Sequence, residues 1–256
     1  MPGRTLILQS RDPANIPPWL AKCLDSVALW AAARGHDHRL LGNELFDPLP
    51  AGFAAACRER RLPMSDLARL LWCRRLLEDW EQVVWIDSDV LVTAPAAFAV
   101  DAAGRESLCR ELWLWREAGQ VRARWAVNNC AMAWRAGSAV LDYYIHACTL
   151  LAARADGPGA LGLGPGFLTR LNAAAPLPQI ESVMTLSPLL IEAVLAGDTA
   201  LLANAHRLWA APVHAVHLCA SLSGQGGPAL TAAGDYERVV ETMLAGGAGP
   251  LAAPAG

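Results

Sequence analysis

Two acidic residues flanking a serine, Asp87-Ser88-Asp89, are the pair in this 256-residue chain best placed to do chemistry. They follow Val83-Val84-Trp85-Ile86, a run that is apolar throughout and reads as an interior strand covered on both faces. In an extended segment, residues two apart face the same side. Both carboxylates are therefore expected to enter one crevice beyond the carboxyl end of that strand, where open α/β sheets bind their ligands. Buried like charges raise each other's pKa and are costly unless a cation sits near them. Hard oxygen ligands suit Mg²⁺ or Mn²⁺, and such sites usually share the ion with substrate phosphates. An Asp-x-Asp also occurs in solvated turns; the buried strand in front of it is what favours a metal.

A second pair stands just upstream. Asp66 and Arg69 are three apart, on one face of a helix expected over Asp66 to about Trp80 with Ser65 as its N-cap and Pro63 as the breaker before it. If the chain doubles back from that helix into the strand, the start of the helix lies near Asp87 and Asp89. Asp66 in a first turn also stabilises the helix dipole, and Arg69 is a natural partner for it.

The remaining elements are those needed to carry these residues. Thr5 to Ser10 reads as a first strand, Trp19 to Arg34 as a helix opened by Pro17-Pro18, and His38 to Gly42 as a second strand. Strand, helix, strand with short connections points to a parallel α/β sheet. Further on, Phe53 to Arg61 is expected to form a short helix, Leu108 to Ala118 a helix, Arg124 to Ala133 a strand and Ala139 to Arg154 a helix. Asp156 to Gly166 reads as a glycine-rich loop before a short helix from Phe167. Pro188 to Ala196 reads as helical and Val213 to Leu218 as a last strand. Residues 1–244 are expected to form a single domain, and 245–256, almost entirely Gly, Ala and Pro, a disordered tail.

Composition narrows the partners. Hydrophobic residues make up 54% of the chain, enough for a sizeable core, and the net charge of −3 offers no basic footprint for nucleic acid. No apolar run is long enough to span a bilayer and no secretory pattern opens the chain, so a cytoplasmic location is expected, with peripheral membrane contact left open. Seven cysteines, an odd number with no close pair, read as reduced, buried thiols. His214 and His217 are three apart and would face opposite sides of a strand, so they do not form one chelate. The ten tryptophans are mostly core; Trp113, Trp115 and Trp125 include candidates for stacking an acceptor, and the sequence does not single one out.

Ser65-Asp66-Leu67-Ala68-Arg69 followed by Val84-Trp85-Ile86-Asp87-Ser88-Asp89-Val90 resembles the DxD sugar-transferase superfamily. These are GT-A-fold glycosyltransferases, here closest to the capsular-polysaccharide and initiating-mannosyltransferase type and more distantly similar to the clostridial glucosylating toxins. Val127-Asn128-Asn129-Cys130, Gly164-Pro165 and His217-Leu218-Cys219-Ala220-Ser221 fit the same order. The likeness spans about Leu6 to Ser221. The chain departs from the pattern in two places. Glu81-Gln82-Val83-Val84-Trp85 stands where relatives carry Gly-Gly-x-Tyr, and Leu222 follows Ser221 where they carry Trp.

The resemblance implies an α/β GT-A domain with a mainly parallel sheet flanked by helices, and a metal-dependent, retaining transferase. It would move a sugar from a UDP- or GDP-sugar to a glycan, lipid, protein or small-molecule hydroxyl, in polysaccharide biosynthesis for the nearest relatives. It implies that Asp89 binds Mn²⁺ or Mg²⁺ directly, that Asp87 contacts the ribose, the sugar or, through water, the ion, and that His217 is a further metal ligand. Asp66 and Arg69 would grip the transferred sugar, Asn128 or Asn129 would approach it, with Asn128 favoured, and Gln9 and Ser10 would sit near the base. Ser88, Gly164, Pro165 and Ser221 would complete the donor site. Two other classes compete: a metal-dependent phosphoesterase or nucleotidyltransferase, which would need further acidic residues at strand ends, and a non-catalytic nucleotide-sugar binder.

Overall fold

The computed structural model describes residues 4–58, 60–152, 162–220 and 233–246. The chain opens with strand β1 (Thr5–Ser10), helix α1 (Pro18–Ala33) and strand β2 (Asp37–Leu41), then a 3-10 turn at Asn43–Phe46 and one short helical turn, α2 (Phe53–Ala56). Helix α3 (Arg61–Leu76) leads into β3 (Gln82–Ile86), β4 (Val90–Val92), the long hairpin β5 (Glu106–Glu117) and β6 (Gln120–Arg135), and helix α4 (Ala139–Ala152). The rest is α5 (Pro165–Ala174), β7 (Gln179–Ile180), β8 (Val183–Thr185), α6 (Pro188–Ala196), α7 (Thr199–Trp209), β9 (Ala215–His217) and α8 (Ala233–Gly246).

The fold is mixed α/β, a mainly parallel central sheet flanked by helices. Six strands run in the order β2-β1-β3-β6-β5-β7, and a second sheet of three runs β4-β9-β8. β2, β1 and β3 are parallel, as are β5 and β7; β6 lies antiparallel to both of its neighbours. The central strands are covered on both faces because their side chains alternate between two cores. Leu6, Leu8, Val83 and Trp85 enter the core with α3 and α4, whereas Ile7, Val84 and Ile86 enter the core with Val27 and Trp30 of α1. A third core gathers α6, α7 and α8 around Leu112, Leu114 and Trp209.

Three expectations are corrected. Leu108 to Ala118 is not a helix but most of β5, whose antiparallel partner is β6. Its apolar positions fit a helix period nearly as well as a strand period; the pairing with β6 decides. Helix α3 starts at Arg61, a turn earlier than expected, with Arg60 and not Ser65 at its cap. Pro63 sits inside the first turn, where its missing N–H has no intrahelical bond to lose. Residues 245–246 belong to α8, so the Gly/Ala/Pro tail cannot begin at 245; residues 247–256, like most of the glycine-rich stretch after Asp156, lie outside the described residues.

Leu112 is fully buried under the α6 face. Leu112→Ala should lower stability by ~2–5 kcal/mol in urea denaturation with little change in m. A loss under ~1 kcal/mol would contradict a β5 strand packed on that core.

Candidate active site

The acidic pair sits at the carboxyl end of β3, on a turn and not on extended strand. Val90 N donates to Asp87 O at 3.1 Å, closing the turn Asp87-Ser88-Asp89-Val90, and Asp87 N donates to Cys130 O at 2.7 Å. The two carboxylates point to different neighbours but each keeps an oxygen within 4.8 Å of the other's, with Ser88 half-buried between them.

Asp87 turns toward α3. Its Oδ1 accepts from Arg69 Nη1 at 2.8 Å and from Trp85 Nε1 at 2.7 Å. Trp85, two residues earlier and thus on the same side, doubles as a ring under the guanidinium, 5.1 Å from Arg69 Cζ to the ring centroid. Among the described residues all side-chain bonds to Asp87 go to Oδ1, which leaves Oδ2 for a ligand.

Arg69 and Asp66 are both buried. Asp66 Oδ1 lies 3.4 Å from Arg69 Nη2 and accepts from Asn129 Nδ2 at 2.8 Å, while Arg69 also donates to the carbonyls of Asn129 and Ser65 at 3.2 Å each. Gly164, the residue before α5, packs against this pair so closely that a Cβ there would stand 3.1 Å from both Asn129 Nδ2 and Asp66 Oδ2. Pro165 takes the first position of α5. Burial pushes the Asp66 carboxyl up to about 6, although Arg69 and Asn129 pull the other way.

Asp89 turns toward the small sheet. β4 and β9 pair with Val90 opposite His217, which brings His217 Nε2 to 3.5 Å from Asp89 Oδ1. Past His217, Cys219 adopts a left-handed conformation (φ 51°), and the chain turns so that Ala220 N donates to Asp89 Oδ2 at 2.7 Å. Burial disfavours the Asp89 carboxylate, but His217 and the Ala220 amide hold its pKa below the ordinary value.

Asp87, Asp89 and His217 each offer one ligand atom, all within 4.8 Å of one another. The donor set, two carboxylate oxygens and an imidazole nitrogen, fits a divalent cation. His217 is oriented for the task. Its Nδ1 faces Thr185 Oγ1 at 3.4 Å and Cys219 Sγ at 3.5 Å, so a proton on Nδ1 leaves Nε2 free for the ion. His214 is not in this group.

The two asparagines separate. Asn129, not the favoured Asn128, reaches Asp66. Asn128 Nδ2 instead bonds Glu111 Oε2, and its Oδ1 accepts from Cys130 N at 2.8 Å. A break in register sets this up: Leu108 pairs with Met132, but the next residue, Cys109, pairs with Asn128. The extra residues of β6 bulge at the tip of β3, a common device beside active sites. Gln9, fully buried, donates to Asp87 O at 3.4 Å and faces His38 Nε2 at 3.1 Å; Ser10 is half-buried at the strand end. Ser221 and Leu222 lie outside the described residues.

Sequence reasoning missed Glu111, Thr185 and the Trp85 indole N–H. Glu111 was hidden by the mistaken helix. Trp85 carried a signal, its two-residue offset from Asp87.

No protein-family model matches the chain, and no curated protein matches it. Among solved structures the chain is similar to a glycosyltransferase involved in the glycosylation of the major capsid of PBCV-1, at 12% identity over 94% of this chain and 99% of that one, TM-score 0.44. It is also similar to mouse xyloside xylosyltransferase 1 in its apo form, at 11% identity over 88% and 99%, TM-score 0.43. Both likenesses are faint, and the chemistry is read from the site itself.

The raised Asp66 carboxyl makes the folded chain bind more protons than the unfolded one between its ordinary pKa, 3.8, and about 6. The contribution of Asp66 to stability therefore falls as pH rises through that window. Asp66→Asn should remove this loss, gaining on the order of 1–3 kcal/mol relative to the parent between pH 4 and 6.5 and no more above. Parallel urea titrations across pH would read it, and a pH-independent difference would refute the raised pKa.

Proposed function

We propose that the protein is a metal-dependent glycosyltransferase that uses a UDP- or GDP-sugar donor. The observation that carries this reading is a charge imbalance. Asp66, Asp87 and Asp89 bring three carboxylates together with, among the described residues, Arg69 as the one permanent cation on them, and the Asp87–Asp89–His217 group has the span of a divalent-ion site. A site of that kind beyond the ends of parallel strands suits a cation shared with phosphates.

Mn²⁺ or Mg²⁺ held by Asp87, Asp89 and His217 would neutralise charge on a leaving diphosphate. The chain's own groups orient the sugar. Asp66 keeps Oδ2 available to accept from a hydroxyl, and Arg69 fixes both Asp66 and Asp87 at once. Asn129, held by Asp66, stands on the same sugar, with Gly164 and Pro165 forming the wall behind it. Gln9 and Ser10 at the end of β1 suit the base, and Ser88 and Ser221 the phosphates. We propose retention through a front-face route in which the leaving phosphate takes the acceptor proton. Cys23, Cys73, Cys109, Cys130, Cys148 and Cys219 are buried free thiols, which fits a reducing compartment such as the cytoplasm. Among the described residues no helix is long and apolar enough to cross a membrane.

A panel of UDP- and GDP-sugars incubated with Mn²⁺ should release nucleoside diphosphate, and Asp89→Ala should lower that rate about 100-fold or more, ~2.7 kcal/mol. His217→Ala should weaken Mn²⁺ binding measured directly. Release of monophosphate or pyrophosphate would point to phosphoester chemistry, and tight donor binding without turnover to a non-catalytic binder. Either would overturn the proposal.

A further inference from the structure

A cleft of about 330 Å³ opens beside the crevice and belongs to none of the groups described so far. It is lined by Arg110 and by Trp125, Ala126 and Val127 of β6, by Thr169, Asn172 and Ala173 of α5, and by Gln179. The same two elements build the neighbouring site: Asn129 lies four residues along β6 from Trp125, and Gly164 lies eight residues from Asn172 at the head of α5. At ~3.3 Å per strand residue and 1.5 Å per helical residue, the far end of the cleft is about 12–13 Å from the Asp66–Asn129 pair.

The lining has a definite chemistry. Arg110 packs on one face of the Trp125 ring, 3.9 Å from guanidinium carbon to centroid, and is itself held by Glu181 at 2.6 Å and by the Trp209 carbonyl at 3.3 Å. Trp209 supports the ring at 5.9 Å. Trp125 nevertheless remains 44% exposed, so part of its ring is open to solvent. An immobilised, exposed indole costs little further entropy when a ligand stacks on it. Around it stand uncharged hydrogen-bonding groups. Thr169 Oγ1 accepts from Val127 N, which leaves its hydroxyl proton to donate. Asn172 Oδ1 accepts from Leu177 N and Gln179 Nε2, which among the described residues leaves the Asn172 amide protons and the Gln179 carbonyl for a ligand. The cleft's single charged side chain, Arg110, is neutralised by Glu181, so nothing there selects an anion.

We propose that this cleft binds a neutral oligosaccharide, the acceptor, with a sugar ring on the open face of Trp125 and its hydroxyls on Thr169, Asn172 and Gln179. The identity of the ligand as acceptor rests on the glycosyltransferase reading; the saccharide site itself does not. Of the three tryptophans raised by the sequence, Trp125 is the one on this cleft, whereas Trp113 and Trp115 of β5 are half-buried away from it.

Calorimetric titration of the full chain without donor reads the proposal directly, using cellotetraose, xylotetraose, mannotetraose and, as a charged comparison, tetragalacturonate. At least one neutral tetrasaccharide should bind saturably at or below about 10 mM. Trp125→Ala should weaken it ten-fold or more, Asn172→Ala several-fold, Trp125→Phe less than Trp125→Ala, and Trp115→Ala should leave it unchanged. No neutral binding, equal binding by Trp125→Ala with intact near-UV circular dichroism, or tetragalacturonate binding ten-fold tighter than every neutral sugar would overturn it. Failure of the donor reading looks different: no nucleoside diphosphate released, with Trp125-dependent saccharide binding intact.

Discussion

One buried guanidinium holds this site together. Arg69 reaches Asp87 on the β3 turn, Asp66 one helical turn behind it, and the backbone carbonyls of Ser65 and Asn129. Its planar fork satisfies partners on three separate segments, which a lysine cannot do. Asp66 and Asp87 would otherwise face each other as unbalanced charges in a crevice with little water. Trp85 completes the support by lying under the guanidinium and bonding the same Asp87 oxygen. Among the described residues the side-chain hydrogen bonds to Asp66 and Asp87 all go to Oδ1, so the same contacts that stabilise the site also orient the second oxygen of each carboxylate.

The opposite wall is built differently. Asp89 is fixed by the small sheet, through the register that sets His217 against Val90 and through the left-handed Cys219 that returns the Ala220 amide to its carboxylate. Asp87 and Asp89 are one residue apart in sequence, yet each is positioned by a different sheet. The β3 turn is the seam between them, and a cation spanning Asp87, Asp89 and His217 would bridge that seam.

The β5–β6 hairpin links the metal-site turn to the cleft beside Trp125. At the bulge its residues diverge, Asn129 toward Asp66 and Asn128 toward Glu111, and beyond it Val127 and Trp125 line the cleft. A regular hairpin would have kept a two-residue alternation through Asn128 and Asn129 and carried Glu106 to Leu108 in step with Cys109 onward. The extra residues of β6 pair instead with the tip of β3, where Cys130 O accepts the Asp87 amide.

Local chemistry determined much of this chain. The apolar run before Asp87 reads as an interior strand, the three-residue spacing of Asp66 and Arg69 puts them on one face of the helix expected there, and Pro17-Pro18 and Gly35 bracket α1 within a residue of where it lies. Those features depend on periodicity and backbone restriction, which act over a few residues. What the sequence could not settle is whatever depends on a partner distant along the chain. Leu108 to Ala118 is a strand because β6 pairs with it, α3 begins before Pro63 because its first turn has somewhere to pack, and Asn129 displaces Asn128 because of a bulge defined by β5. His217 meets Asp89 across 127 intervening residues, and Trp125 rather than Trp113 or Trp115 lines a cleft because α5 packs on β6 there. Such contacts have no local signature, since their free energy is released only when the segments meet.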